Sequence, residues 1–329
     1  MTGPAALGVV GAGAWGTALA QVAARGGPVT LWAREAETVA DINARRENRT
    51  FLPGIPLDNG IAAVGDLGAL AECAALMMVT PAQHLRAVLT QIGTWDRPLI
   101  LCCKGIETGT KKLMSEVAAE ALPDACICVL SGPTFADEVA RGLPAAVTFA
   151  CENEAAAGPL TQRIASAAFR PYYSDDVTGA EIGGAVKNVL AIACGVAAGL
   201  RLGKNARAAL ISRGFAEMTR FGLARGARAE TLAGLSGLGD LVLTCSSEAS
   251  RNMSFGKALG EGRSAAELMA DRVTVAEGVF TAPVLAEAAR DLGIDMPISE
   301  TVLALIEGRI AAADAREALM ARPLKEERP

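Results

Sequence analysis

Residues 7–16 read LGVVGAGAWG and decide the fold predicted for the first part of the chain. The apolar run 7–10 predicts a buried strand, and the residues after the glycines have the pattern of a helix. Between strand and helix, Gly11 permits a tight turn, Gly13 admits a pyrophosphate close to the backbone, and Gly16 lets the helix pack on the strand. The free N–H groups at the start of that helix favour phosphates. We therefore predict a dinucleotide-binding, Rossmann-type sheet.

The residue after the second predicted strand indicates which dinucleotide is bound. Strand 29–33 is followed by Arg34, where an acidic residue would accept hydrogen bonds from the ribose 2′-hydroxyl of NAD. An arginine suits the 2′-phosphate of NADP and can stack on adenine. Glu35 follows at once and leaves the use of NAD open. We expect NADPH/NADP to be preferred over NADH/NAD, and a surface arginine at a strand end is the alternative.

The order of predicted elements extends this motif into a domain. Strands and helices alternate over roughly the first 175 residues, which is typical of a doubly wound parallel α/β sheet. The predicted strands are 7–10, 29–33, 61–64, 75–79, 98–103, 125–130, 145–150 and 169–173. The predicted helices between them include 15–25, 83–91, 111–122 and 154–168.

From residue 178 onward the strand pattern is lost and helical patterns follow one another. They cover 179–199, 205–225, 252–260, 264–271, 278–292, 298–307 and 311–322. A chain of 329 residues exceeds the usual size of one hydrophobic core. We therefore predict a dinucleotide-binding domain at 1–177 and an all-helical, substrate-binding domain at 178–329.

Lys187 is the most informative residue of the helical part. It lies inside the run GGAVKNVLAIACGVAAG, residues 183–199, and Gly183, Gly184 and Ala191 share its face of the helix. Such small side chains predict open space beside the lysine. Apolar surroundings lower the pKa of a lysine, so that it can act as a general acid or base near neutrality. The alternative is a lysine whose methylenes lie along the helix while its ammonium reaches water.

Three further polar groups stand where ligands are expected. Lys104 follows an apolar strand, at the carboxyl edge of the sheet. The turn SGPTFA, residues 131–136, follows the next strand and precedes a helix. Asp240 lies in GLGDL, and Ser250–Arg251–Asn252 begins a helix, which is a suitable place for a phosphate or carboxylate. Each of these groups, taken alone, could be structural.

Composition excludes several classes of protein. The net charge of −5 argues against a general nucleic-acid or membrane-surface binder. No apolar run reaches about 20 residues without charge, glycine or proline, so we expect no transmembrane span. The N-terminus has no basic segment and runs straight into strand and glycine turn, so we expect no signal peptide.

Cysteine and histidine usage limits the possible metal and catalytic sites. The eight cysteines lack C-x-x-C spacing, so we expect no metal site. Reduced, buried thiols in a cytosolic protein are the expected state. Cys126 and Cys128 would share one face of a strand. His84 is the one histidine of the sequence, which excludes multi-histidine metal centres. We expect it to be a solvated residue in the first turn of a helix.

The chain resembles the bacterial-type NAD(P)-dependent glycerol-3-phosphate dehydrogenases over nearly its full length. The motifs that carry the resemblance are, in order, GAGAWGTALA, NRTFLPG, KGIE, SGPTFADEVARGLP, GGAVKNVLAI, NARAALISRG, GLGDLVLTC, SRN and VAEG. The resemblance implies reversible NAD(P)H-dependent reduction of dihydroxyacetone phosphate to sn-glycerol 3-phosphate, which feeds glycerophospholipid synthesis. It also implies a helical domain similar to that of 6-phosphogluconate dehydrogenase, a homodimer and a cytoplasmic location.

The resemblance further implies roles for individual residues. Lys187 matches the proton-transfer lysine, Lys104 matches a lysine near the substrate oxygen and the nicotinamide, and Asp240 is the third catalytic residue. The substrate-binding set is Lys104, Gly132, Thr134, Lys187, Asp240, Ser250, Arg251 and Asn252. The cofactor-binding set is Gly11, Gly13, Ala14, Trp15, Gly16, Arg34, Phe51, Lys104, Ala136, Arg251, Val275 and Glu277. Two positions depart from the family pattern: Ala14 replaces a frequent serine, and Cys103 a frequent threonine.

Two other functions are compatible with the same residues. A related dehydrogenase could act on a non-phosphorylated hydroxy acid, with Arg251 holding a carboxylate. A catalytically silent nucleotide sensor could use the same two domains. The two lysines, Asp240 and the arginine–asparagine pair favour an enzyme over the sensor.

Overall fold

This computed structural model of the chain describes residues 5–270 and 276–315. Val275, which the resemblance assigns to the cofactor, and residues 316–322 of the last predicted helix lie outside the described residues. The chain forms two compact units. The first comprises Met1–Cys103 and Met114–Val177, and the second comprises Lys104–Leu113 and Thr178–Pro329. Segment 104–113, which the sequence places in the first domain, thus groups with the helical unit.

The first unit is built on a sheet in the order β3-β2-β1-β4-β5-β6-β7-β8. Its strands are β1 (Leu7–Val10), β2 (Val29–Trp32), β3 (Ile61–Val64), β4 (Ala75–Met78), β5 (Pro98–Leu101), β6 (Cys126–Ser131), β7 (Ala145–Cys151) and β8 (Phe169–Ser174). Its helices are α1 (Ala14–Ala24), α2 (Ala36–Arg45), α3 (Leu85–Ile92), α4 (Met114–Ala121), α5 (Ala136–Ala140) and α6 (Glu154–Ile164). The predicted doubly wound fold is confirmed, and α2 is a helix that the sequence analysis did not predict.

One strand pair departs from the all-parallel sheet that was expected. Strand β7 runs antiparallel to β6, with Cys128 opposite Cys151, and β8 runs parallel to β7. The reason lies in the connection. Helix α5 has five residues and spans about 7–8 Å, whereas a six-residue strand such as β6 spans about 20 Å. The connection 132–144 therefore contains no helix long enough to run back along the strand, which is the usual form of a parallel crossover.

The second unit is helical in its described part. Its helices are α7 (Val177–Gly199), α8 (Gly203–Ala224), α9 (Ala229–Ala233), α10 (Asp240–Ser246), α11 (Arg251–Gly260), α12 (Ala265–Ala270), α13 (Glu277–Asp291) and α14 (Pro297–Ile306). A single π-helical turn, Leu235–Gly239, leads directly into α10. The long predicted helices agree with these bounds to within two residues. Helices α9 and α10 were not predicted, because the glycines of LAGLSGLGDL are typical of a turn.

Helix α7 passes through the core of the second unit, and its glycines serve close packing. A Cβ on Gly195 would lie 2.2 Å from the carbonyl oxygen of Met253 in α11. On the facing helix, a Cβ on Gly256 would lie 2.0 Å from the carbonyl oxygen of Ile192. The expectation of open space beside Lys187 is wrong at Gly183, where a Cβ would lie 2.3 Å from the carbonyl oxygen of Ser236.

Helix α7 is also long and apolar enough to cross a membrane, judged by length and composition alone. The sequence analysis predicted no transmembrane span, because charged residues, glycine or proline interrupt each apolar run. Of the apolar window within Val177–Gly199, 89% is buried inside the protein, which is the environment of a core helix.

Candidate active site

The glycine-rich loop between β1 and α1 has the backbone features predicted for it. Gly11 has φ +117°, a conformation that side chains disfavour. A Cβ on Gly16 would lie 1.8 Å from the carbonyl oxygen of Gly11, so the helix start and the turn are in close contact. Apart from its two chain neighbours, no described residue has a heavy atom within 4 Å of the position of a Cβ on Gly13. The loop thus combines a tight turn with space beside its second glycine, as a pyrophosphate requires.

A buried asparagine holds this loop in place. The Nδ2 of Asn48 donates to the carbonyl oxygen of Ala12 and to the Oγ1 of Thr17, each at 2.8 Å. Its Oδ1 accepts from the backbone N–H of Phe51 at 3.1 Å. Asn48 therefore fixes both the loop and the segment that carries Phe51, a candidate cofactor residue. It is the first residue of the motif NRTFLPG, but no pattern within the motif indicated this role.

Unpartnered polar atoms in the first unit fit a bound dinucleotide. The indole Nε1 of Trp15 and the hydroxyls of Thr80 and Ser131 are buried without a hydrogen-bond partner among the described residues. Ser131 ends β6, and Thr80 lies two residues after β4, so both lie at the carboxyl edge of the sheet. Ligands of open α/β sheets bind at this edge. Donors of this kind would gain acceptors from a coenzyme, so the residues present fit the group.

The remaining candidates of the first unit lie around the same edge. Arg34 lies two residues after β2, is highly exposed, and pairs with Glu35 at 2.7 Å. Gly132 packs so tightly that a Cβ there would lie 2.8 Å from the Cα of Val147. The Oγ1 of Thr134 donates to the carbonyl oxygen of Gly132 at 3.2 Å, within the turn before α5. The candidates Ala14, Phe51 and Ala136 are partly buried.

In the second unit, one carboxylate binds both candidate lysines. The Nζ of Lys187 lies 2.5 Å from Oδ1 of Asp240, and the Nζ of Lys104 lies 2.6 Å from Oδ2. The side chain of Asp240 is fully buried, and those of Lys187 and Lys104 are 9% and 15% exposed. Thr244 accepts from Lys187 at 3.0 Å. Two ammonium groups therefore share a single negative charge in a nearly dry environment.

Close backbone packing places this carboxylate. Asp240 is the first residue of α10, directly after the π-helical turn. One turn before Lys187, a Cβ on Gly183 would lie 2.3 Å from the carbonyl oxygen of Ser236 in that turn. The contact brings the start of α10 against α7. Thr244 is four residues after Asp240, so both side chains lie on one face of α10.

The environment of Lys187 lowers its pKa to about 8. Burial is the largest cause, because it removes water from the ammonium. The charge of Asp240 acts in the opposite direction, and the positive charge of Lys104 lowers the pKa further. A lysine with this pKa can give up and regain a proton near neutral pH, as a general acid or base must.

Glu277 and Arg251 belong to the same electrostatic neighbourhood. Burial raises the pKa of Glu277, while Arg251, Lys104 and Lys187 lower it, in that order of strength. Arg251 is the first residue of α11 and is exposed. A cation thus stands at the start of a helix, where an anionic group is also favoured by the helix dipole.

The two neighbours of Arg251 are engaged within the protein. Ser250 is the N-cap of α11, and its hydroxyl accepts from the backbone N–H of Met253 at 3.3 Å. Asn252 donates to the Oδ1 of Asn188 at 2.9 Å and accepts from the backbone N–H of Gly278 at 2.9 Å. These bonds join α7, α11 and α13 around the lysines. The link through Asn188 was not predicted, although this residue follows Lys187 directly.

His84 takes no part in either group. It ends the short 3-10 turn Ala82–His84 before α3 and is exposed to solvent, as the sequence predicted.

Comparison with known proteins identifies the family. The family model for the N-terminus of NAD-dependent glycerol-3-phosphate dehydrogenase matches residues 6–157, and the model for its C-terminus matches residues 176–317. The glycerol-3-phosphate dehydrogenase [NAD(P)+] of Novosphingobium aromaticivorans is 64% identical over 325 residues, which is 98% of each chain. The chain belongs to the NAD-dependent glycerol-3-phosphate dehydrogenase family. The enzyme of the same name from Erythrobacter litoralis is 62% identical, again over 98% of each chain.

A solved structure of this glycerol-3-phosphate dehydrogenase family has the same fold. The crystal structure of glycerol-3-phosphate dehydrogenase from Coxiella burnetii superposes with a TM-score of 0.93 at 37% identity, covering 98% of this chain and 100% of that one. The predicted resemblance, the Rossmann-type sheet and the helical second part are therefore confirmed.

Proposed function

We propose that this chain catalyses the reversible NAD(P)H-dependent reduction of dihydroxyacetone phosphate to sn-glycerol 3-phosphate. The observation that carries the proposal is the pair Lys187 and Lys104 on the single carboxylate of Asp240, in a chain of this family. A buried lysine with a pKa near neutrality is what a carbonyl reduction needs, because the developing alkoxide must receive a proton.

The coenzyme, NADH or NADPH, would supply the hydride for C2 of the substrate. The loop of Gly11, Gly13 and Gly16 would hold its pyrophosphate, with the Trp15 indole as a further donor. The other cofactor candidates of this proposal, apart from Arg34, are Ala14, Phe51, Lys104, Ala136, Arg251, Val275 and Glu277. Arg34 favours NADP through its charge, while its pairing with Glu35 leaves NAD acceptable.

The residues of the second unit would perform the proton transfer. Lys187 gives a proton to the substrate oxygen in the reduction and removes it in the oxidation. Lys104 polarises the carbonyl and helps to lower the pKa of Lys187. Asp240 holds both ammonium groups in place and balances part of their charge. The group that would bind the substrate phosphate is Arg251, with Ser250 and Asn252 as positioning residues.

The cellular setting follows from the same proposal. Glycerol 3-phosphate formed by this chain would feed glycerophospholipid synthesis in the cytoplasm. We further propose a homodimer that neither inserts into membranes nor binds nucleic acid, in line with the net charge of −5. We assign dinucleotide binding to residues 1–177 and substrate binding mainly to 178–329, with Lys104 added from the first range.

A steady-state assay tests the proposal. The purified chain should consume NADPH when dihydroxyacetone phosphate is added, as followed by the absorbance of the reduced nicotinamide. Arg251→Ala should raise the KM for the phosphorylated substrate, and Arg251→Lys should raise it less. Turnover of unphosphorylated 2-oxo acids in place of dihydroxyacetone phosphate would favour a hydroxy-acid dehydrogenase. Coenzyme binding without turnover of either substrate class would indicate the nucleotide sensor.

A further inference from the structure

Three cysteine thiols converge in the first unit, on the amino side of β6. Cys126 and Cys128 are two residues apart on β6 and therefore share a face of the sheet. Cys151 ends β7 and lies opposite Cys128 in the antiparallel ladder. The three sulfur atoms lie within 4.8 Å of one another, and the Sγ atoms of Cys126 and Cys151 are 3.9 Å apart.

This spacing is that of thiolates around one metal ion. Ligands about 2.3 Å from a metal are about 3.8 Å apart in a tetrahedral and about 4.0 Å apart in a trigonal arrangement. The separation of 3.9 Å between Cys126 and Cys151 falls in this interval. Among the described residues, no histidine, aspartate or glutamate joins the group. An all-sulfur, three-ligand set is suited to soft ions such as copper(I).

The surroundings of the thiols also admit a cation. The Cys151 thiol donates to the carbonyl oxygen of Asn153 at 3.4 Å, and the Cys128 thiol lies 3.9 Å from the carbonyl oxygen of Cys126. Cys126 is partly exposed, which gives an ion a path to the buried pair.

We propose that Cys126, Cys128 and Cys151 form a binding site for one soft, thiophilic metal ion. The ion forms bonds to three thiolate sulfurs, and no electron is transferred. Each of the three cysteines binds as its thiolate and releases its thiol proton to the solvent. The bound ion ties β6 to β7, at the junction where the sheet changes from parallel to antiparallel.

The site lies apart from the residues assigned to the reaction. Strand β6 carries Cys126 and Cys128 in its amino half, whereas Ser131, at its other end, leads to the turn of Gly132 and Thr134. The ion would therefore affect the stability of the first unit rather than its chemistry. A ligand that binds the folded state but not the unfolded state raises the midpoint of thermal unfolding.

Cadmium(II) is the probe for the test. The full-length, reduced chain is titrated under nitrogen, and the sulfur-to-cadmium charge-transfer absorption is recorded. The proposal predicts a band that saturates at one equivalent, release of protons on binding, and a higher Tm. Cys126→Ser, the mildest change because this residue is partly exposed, should lose the band, and so should Cys151→Ser.

Cys73→Ser is the matched control, because Cys73 is a buried cysteine of the first unit outside the cluster. It should keep the band, and all three variants should keep wild-type turnover, which also shows that they fold. A band that persists in both cluster variants would overturn the proposal, and so would a chain that gives no band at all. Equal loss of the absorption band in Cys73→Ser and Cys126→Ser would also contradict the proposal.

Discussion

A Cβ on Gly183 would lie 2.7 Å from the Cα of Gly237. Real side chains do not approach backbone so closely, so this position of α7 is restricted to glycine by its neighbour. Gly183 lies one helical turn before Lys187, and Gly237 lies three residues before Asp240. The contact between two glycines thus sets the distance between the acid–base lysine and its carboxylate.

Gly183→Ala should separate the two chain segments and weaken the enzyme. We expect a loss of about 1–3 kcal/mol in the free energy of unfolding, because the added methyl has no space. Turnover should fall by up to about 10²-fold, because Asp240 and Lys187 are displaced. Urea denaturation and steady-state kinetics measure the two effects. Gly158→Ala is the control: among the described residues a Cβ on this glycine of α6 meets no crowding, and because Pro159 follows it, the added methyl should change stability by less than about 0.5 kcal/mol. Equal effects of the two substitutions would refute this packing argument.

Lys187→Met should remove the proton donor while leaving coenzyme binding intact. We expect turnover to fall by about 10²–10⁴-fold, the usual contribution of general acid–base catalysis. The Kd for NADPH, measured by fluorescence titration, should stay within about twofold, since no part of the glycine loop is changed. Lys257→Met removes a half-exposed lysine that pairs with Glu248 and should behave as wild type. Wild-type turnover in Lys187→Met would exclude the acid–base role.

The pH dependence of the reaction should follow the pKa of Lys187. Reduction needs the ammonium and should decline above pH of about 8, whereas oxidation needs the amine and should decline below it. Lys104→Met removes a positive charge that lowers this pKa, so both limbs should move to higher pH. Lys111→Met, in the same segment but paired with Asp291, should leave the profile unchanged. A shift toward lower pH in Lys104→Met would contradict the assignment.

Asp240→Asn should destabilise the second unit, because two buried ammonium groups lose their counter-ion. Removing one partner of a buried ion pair costs about 3–5 kcal/mol. The pKa of Lys187 should fall further, since Asp240 raises it. Asp137→Asn breaks an exposed pair with Arg141 and should cost less than about 1 kcal/mol. Urea denaturation of the two variants at neutral pH compares them; similar costs would show that Asp240 is not the shared counter-ion.

Glu217→Ala should destabilise the chain while leaving the turnover of the folded enzyme unchanged. This fully buried carboxylate accepts from the backbone N–H groups of Ile298 and Ser299, at 2.6 and 3.1 Å, and from the Ser299 hydroxyl at 3.0 Å. It thus caps the start of α14. Leaving these donors unpaired should cost about 3 kcal/mol in thermal or urea unfolding. Glu300→Ala, at an exposed position of the same helix, should change stability by less than about 0.5 kcal/mol.

Local patterns in the sequence predicted the strands of the first unit up to β6, although helix α2 was missed. The strand–glycine–helix motif predicted β1, the turn and α1 because Gly11 and Gly16 have local steric reasons for their positions. The direction of β7 could not be predicted in this way, since it depends on how short α5 is. The meeting of Cys151 with Cys126 follows from that direction and was likewise out of reach.

The candidate site was predicted in its members but not in its contacts. Lys187, Lys104 and Asp240 were each singled out from local sequence, and the structure brings them together. That one carboxylate serves both lysines depends on a π-helical turn within a glycine-rich segment, which the sequence indicates only as a turn. Because the same segment was taken for a turn, helix α10 and the position of its residue Thr244 were not predicted.

The segment Lys104–Leu113 has a consequence for dissecting this protein. Its Ile106 and Leu113 are buried in the hydrophobic core of the helical unit, although the residues on either side of the segment belong to the sheet unit. A fragment cut after residue 177 would take these two side chains away from that core and leave the helical fragment without Lys104. A single cut in the polypeptide therefore cannot yield either unit in complete form, and functional experiments need the full-length chain.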